Sequence, residues 1–186
     1  MDWTRLTVFG AFIVAVNGGA VRGHDQDPSA AFVRLAPGRF RELSLEIRQY
    51  LDQRNCTIPQ SWFNKRPHNV VRGRFTEATN TDIAILCSTG EVSRILVFRS
   101  GSATQVAELA HQPDDGYLQR VDGRSAGFSR ALGIATPRYI QEHYEAYGGP
   151  KPPPLDHDGI NDIFVEKASI VWYWHNGRWL QLQGAD

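Results

Sequence analysis

The chain has no surplus of charge, because 20 lysines and arginines are matched by 20 aspartates and glutamates. That balance excludes the broad basic footprint with which proteins hold nucleic acid or an anionic membrane surface. Long apolar runs are missing too. The run 6–16 has about eleven residues where a bilayer-spanning helix needs roughly 20, and nothing after it is apolar enough to span. Cysteine is scarce: two in 186 residues are too few for a structural zinc site, and Cys56 and Cys87 lack the Cys-x-x-Cys spacing of a redox pair. Neither a His-Glu-x-x-His pattern nor a glycine-rich phosphate loop occurs. His24, His68, His111 and His143 therefore read as surface or hydrogen-bonded histidines.

What is present begins with an address. Arg5 supplies a positive start, residues 6–16 supply an apolar stretch, and Gly18, Gly19 and Ala20 supply small residues before a cut. This is the layout of a cleavable secretory signal, with cleavage expected after Ala20 and Val21 as the new N-terminus. Asp2 and Arg5 leave together, so the mature chain stays neutral. In an exported chain, an isolated cysteine pair is most simply a disulfide, here Cys56 with Cys87. The mature remainder of about 165 residues is the length of one domain. We read 1–20 as the signal peptide, 21–36 as a mobile leader and 37–186 as a single globular domain.

Periodicity gives the fold class. Phe40, Leu43, Ile47, Tyr50 and Leu51 recur at helical spacing and predict an N-terminal amphipathic helix that stops before Pro59. Residues 82–87 are short and β-branched, as in a buried strand, and flanking strands over 69–75, 94–98 and 106–109 predict an antiparallel meander. A second helix is expected over 137–147, capped by Thr136 and ended by Gly148 and Gly149. Asn176-Gly177 between two strand-like runs predicts a two-residue hairpin pairing Trp174 with Trp179 and Trp172 with Gln181. Val171, Tyr173, Leu180 and Leu182 then form one face, the expected core face, and Trp172, Trp174 and Trp179 the other. The class is α+β: an antiparallel sheet, two helices and a C-terminal β-hairpin.

Three patterns could carry chemistry. Residues 155–163 place Asp156, Asp158 and Asp162 around Gly159, a layout that could wrap oxygen ligands around calcium. The stretch resembles the aspartate-rich loops of integrin-type propeller repeats, with Pro154 where their first aspartate stands, so three carboxylates would give a weak calcium site. Gly123-Arg124-Ser125-Ala126-Gly127 matches the Gly-x-Ser-x-Gly elbow of serine hydrolases, with His175 downstream as a base. The polar residues 118–122 before it do not read as the buried strand that an elbow requires. Finally, Trp172, Trp174 and Trp179 beside Gln181 form a flat aromatic strip suited to stacking on a sugar or packing on a peptide.

The stretches NCTIPQSWFNKRPHNVVRGRF, TDIAILCSTGEVSRILVF, RYIQEHYEAYGGPKPPPLDHDGINDIFVEKAS and NGRWLQLQGAD (55–75, 81–98, 138–169 and 176–186) resemble a family of small exported bacterial proteins. The resemblance implies bacterial export to the periplasm or beyond and one shared domain, and no activity. The expectation is therefore a non-catalytic binding module for a cell-envelope or extracellular sugar or peptide, needing no cofactor beyond a weakly held calcium. A small serine hydrolase using Ser125 and His175, or a structural envelope component, are the alternatives.

Overall fold

The computed structural model describes residues 32–184 except 122 and 124. The expected signal peptide and residues 21–31 of the leader lie outside the described residues. Strands and helices follow in the order β1 (Arg34–Leu35), α1 (Leu45–Asp52), β2 (Ile58–Pro59), β3 (Val70–Gly73), β4 (Asp82–Thr89), β5 (Val92–Phe98), β6 (Val106–Pro113), β7 (Leu118–Arg120), β8 (Ala126–Phe128), β9 (Arg130–Ala135), α2 (Pro137–Tyr147), β10 (Gly159–Phe164), β11 (Ala168–His175) and β12 (Arg178–Gln183). Every strand pairing is antiparallel. The class is α+β, with two α-helices among the described residues.

Two four-stranded meanders, β3-β4-β5-β6 and β9-β10-β11-β12, carry the architecture. Alternation along β4 sends Ile83, Ile85 and Cys87 to one face and Ala84 and Leu86 to the other. The first set packs with Ile47 and Leu51 of α1, and with Phe40 and Leu43 just before it. The second set meets Leu132 and Ile160 of the other sheet, with Trp172 and Trp179 packed against them. On the far side of that sheet, Val171, Tyr173 and Leu182 bury Ile140 of α2. The order is thus helix, sheet, sheet, helix, and each sheet is covered on both faces.

Local signals set the boundaries. The Ser44 hydroxyl accepts the Ile47 N–H at the start of α1, and Thr136 accepts the Tyr139 N–H at the start of α2, where Pro137 needs no partner. Asn176 (φ 49°) and Gly177 (φ 80°) adopt the left-handed conformation that a two-residue hairpin turn requires. The register is Trp174 to Trp179, Tyr173 to Leu180 and Trp172 to Gln181. A disulfide joins Cys56, just past α1, to Cys87 on β4. No helix among the described residues is long and apolar enough to cross a membrane.

The last residues of the expected leader contact the body of the fold. Arg34 and Leu35, assigned to the leader by composition, pair with Pro59 and Ile58, and Phe32 stacks on Phe128 with ring centroids 4.4 Å apart. This short segment is held by strand pairing, by the Gln60 N–H bond to the Val33 carbonyl, by the Arg34–Asp114 ion pair and by an aromatic contact, which composition does not reveal.

Candidate functional site

A cleft of about 570 Å³ lies between the start of the described chain, the β2–β3 loop and β8. That loop, residues 60–69, is tied to itself. The Gln60 amide nitrogen donates to the carbonyls of Ile58 and His68, and its oxygen accepts the His68 N–H at 2.9 Å. Asn69 (φ 70°) closes the loop by donating to the Pro59 and Arg130 carbonyls and accepting the Leu132 N–H.

Within this frame the His68 ring spans the loop. Its Nε2 accepts the Ser61 backbone N–H at 2.8 Å and lies 2.6 Å from Ser61 Oγ, and its Nδ1 lies 2.8 Å from the Arg66 carbonyl. A backbone N–H can only donate and a carbonyl can only accept. The tautomer therefore follows: Nδ1 carries the proton and Nε2 offers its lone pair to Ser61. Burial lowers the His68 pKa below the ordinary histidine value, opposed in part by the bond to Arg66. Burial thus favours the uncharged ring.

Trp62 is pinned to β8 by its N–H to the Phe128 carbonyl at 2.9 Å, and its indole N–H donates to Ser129 Oγ. Gly127 permits this approach, since a Cβ there would stand 2.8 Å from Trp62 Cβ and 2.5 Å from Val121 Cγ2. Phe32 and Trp62, with the buried Phe128 behind Phe32, give the cleft aromatic walls, and Arg39, Lys65 and Arg66 also line it. Among the described residues, none that lines it is acidic. The apolar side chains of Val33 and Phe63 stand exposed at this end of the molecule.

The candidates from sequence lie elsewhere. Trp172 and Trp179 turn into the layer between the sheets, where their indole N–H groups are buried without a partner. Trp174 packs edge to face on Trp179 at 5.5 Å, with the Arg99 guanidinium 5.4 Å from its ring. It lines a shallower cleft of about 480 Å³ with Glu77, Asp156, His157 and His175. Gln181 is exposed on β12, opposite Trp172.

The three aspartates go to three partners. Both Asp162 oxygens bind Arg130 at 2.8 Å, and Asp158 Oδ2 accepts the Arg74 N–H at 3.1 Å. Asp156 Oδ1 pairs with His157 Nδ1 at 2.8 Å, and that bond first of all lowers the Asp156 pKa. Among the described residues no group of three or more histidine, cysteine, aspartate or glutamate side chains is arranged to hold a metal ion.

Ser125 sits in the turn joining β7 to β8, so a strand follows it, and the helix that a nucleophile elbow needs is not there. His175 ends β11 in the shallow cleft that Ser125 does not line. Ser61, in contrast, was invisible to motif reading because Ser-x6-His has no recurrent pattern. The usable signal was the run 62–66, which puts two aromatics beside two cations in an otherwise polar loop. Comparison with known proteins returns no matching family model, no matching curated protein and no matching solved structure.

Proposed function

We propose that the protein is an exported ligand-binding module whose cleft takes an amphipathic carboxylate, such as the free C-terminus of a peptide ending in an aromatic residue. The observation that carries this reading is the lining of the large cleft: the rings of Phe32 and Trp62 backed by Phe128, and three cations, with no carboxylate among the described residues to oppose an anion. Its volume of about 570 Å³ falls in the range of small-ligand sites, roughly 300 to 1,000 Å³. Aromatic walls supply buried area for a flat apolar body, and Arg39, Lys65 and Arg66 supply charge-assisted hydrogen bonds for its anionic end. Export is part of the same proposal and draws support from the Cys56–Cys87 disulfide, since such bonds persist in oxidising compartments.

Calorimetric titration with N-acetyl-phenylalanine and with its uncharged amide tests the reading. The carboxylate should bind at least about tenfold tighter than the amide, a difference of about 1.4 kcal/mol. Replacing Lys65 and Arg66 by glutamine should erase that preference while leaving the thermal midpoint unchanged, because both side chains are exposed. Equal affinity for the two compounds would reject the anion site.

A further inference from the structure

The loop that floors the cleft contains more than its own architecture requires. Clasping residue 61 to His68 needs only the backbone N–H, which already donates to Nε2 at 2.8 Å. An alanine at this position would be clasped equally well. Ser61 nevertheless adds a hydroxyl 2.6 Å from the same nitrogen, and it lines the cleft. On the other side of the ring, the Arg66 carbonyl fixes Nδ1 as the protonated nitrogen at 2.8 Å. Nucleophile, base and orienting acceptor thus stand in the sequence that acyl-transfer sites use, with a backbone carbonyl in the third place.

The geometry points to Ser61 as a nucleophile, with His68 as its general base, acting on carboxylic esters that carry a second, anionic carboxylate. This inference rests on the cleft being an anion-binding site, since the rim of Arg39, Lys65 and Arg66 would hold the spectator carboxylate beside Ser61. In the first step Oγ bonds to the ester carbonyl carbon, and its proton passes to His68 Nε2, which gives up the bond from the Ser61 N–H to receive it. The carbon–oxygen bond to the alcohol then breaks, and the alcohol oxygen leaves with that proton. Water next attacks the acyl carbon and gives a proton to Nε2, which returns it to Oγ as the acid departs. No oxidant, reductant or metal enters the balance.

The charged side chains that line the cleft are Arg39, Lys65 and Arg66. Burial opposes a second proton on the ring, which leaves the Nε2 lone pair to the two Ser61 donors in the resting protein. The Ser61 N–H also points at Nε2, so an imidazolium formed during reaction would be quick to give its proton to the leaving group.

Active-site labelling of the mature, oxidised chain with an alkyl fluorophosphonate decides the matter. Oγ would displace fluoride from phosphorus, and peptide mass mapping should find one adduct, on Ser61. Ser61→Ala should abolish the adduct while keeping the thermal midpoint, since the backbone clasp survives. His68→Ala should slow labelling by about 100-fold or more. Because that variant also unties the loop, the wild-type pH profile is the second measurement: the rate should be flat above the histidine titration and fall below it as Nε2 takes a proton. A pH-independent rate would overturn the role of His68. No adduct at Ser61 with N-acetyl-phenylalanine binding intact would overturn the nucleophile and leave the anion site standing. An adduct at Ser61 with no preference for the carboxylate over its amide would support the nucleophile and overturn the anion site.

Discussion

Arg130 has no exposed surface, yet all its donors are used. Nε and Nη2 grip the two Asp162 oxygens at 2.8 Å, Nη1 donates to Ser93 O at 3.1 Å and to Ser93 Oγ at 2.9 Å, and Nη2 also reaches the Ala110 carbonyl at 2.8 Å. Burial works against its charge, but the bond and charge of Asp162 outweigh that, and its pKa stands above the ordinary arginine value. Arg130→Met would strand Asp162 as an unpaired charge and should cost about 3 to 5 kcal/mol in urea unfolding. Adding Asp162→Leu should recover part of that loss. At the same scale, burial lowers the pKa values of His68 and His143 below 6.5. The folded chain then resists protons that the unfolded chain accepts, so stability is complete above about pH 6.5 and declines as pH falls below it. Unfolding midpoints measured from neutral into mildly acidic buffer should show that slope, and His143→Gln should flatten it. Asp156 acts in the same sense at lower pH, because a depressed carboxylate adds stability that is lost as stronger acid protonates it.

Among the elements, the terminal hairpin makes the sharpest contrast between its three tryptophans. Trp172 packs against the layer between the sheets and buries an unpartnered indole N–H. Trp172→Phe keeps most of the apolar area and removes that donor, so it should cost less than about 1.5 kcal/mol, whereas Trp172→Ala should cost roughly 3 to 5. Trp174→Ala, at the wall of a shallow cleft, should cost less than Trp172→Ala in the same thermal melts. The pairing of this hairpin was legible because Asn-Gly dictates its turn. Which face meets solvent was not, because alternation cannot distinguish a half-covered sheet from one covered on both sides. Strand β9 escaped notice since Arg130 and Gly133 interrupt its apolar pattern. The cleft escaped notice because its loop has no period at all. The α1–β4 junction carries the disulfide alongside a two-way bridge, Thr57 N–H to Ser88 O at 3.0 Å and Ser88 N–H to Thr57 O at 2.8 Å. Removing the disulfide by a double Cys→Ser exchange at 56 and 87 should cost about 3 to 4 kcal/mol in urea titrations, the loop entropy returned to the unfolded chain.

For the whole molecule, export makes a checkable statement: N-terminal sequencing of the secreted product should read from Val21. Retention of Met1 would count against the signal peptide. The two sheets then act as one body because Arg130, on the second sheet, is bonded to β5 and β6 of the first. This wiring depends on an irregularity. Between Ser93 and Ile95 the β5–β6 register shifts, Ser93 opposing Gln112 and Ile95 opposing Leu109, so that Arg94 faces both Ala110 and His111. Ala110 takes the left-handed conformation (φ 53°), and the bulge supplies the carbonyl that Arg130 needs. β6 is also the outermost strand of its sheet, where a flat ribbon would be a template for any passing chain. The bulge, the Arg94–Glu108 ion pair beside it and Pro113 at its end make that rim a poor one to copy. The kink that locks the interior together thereby also guards the protein against edge-to-edge self-association.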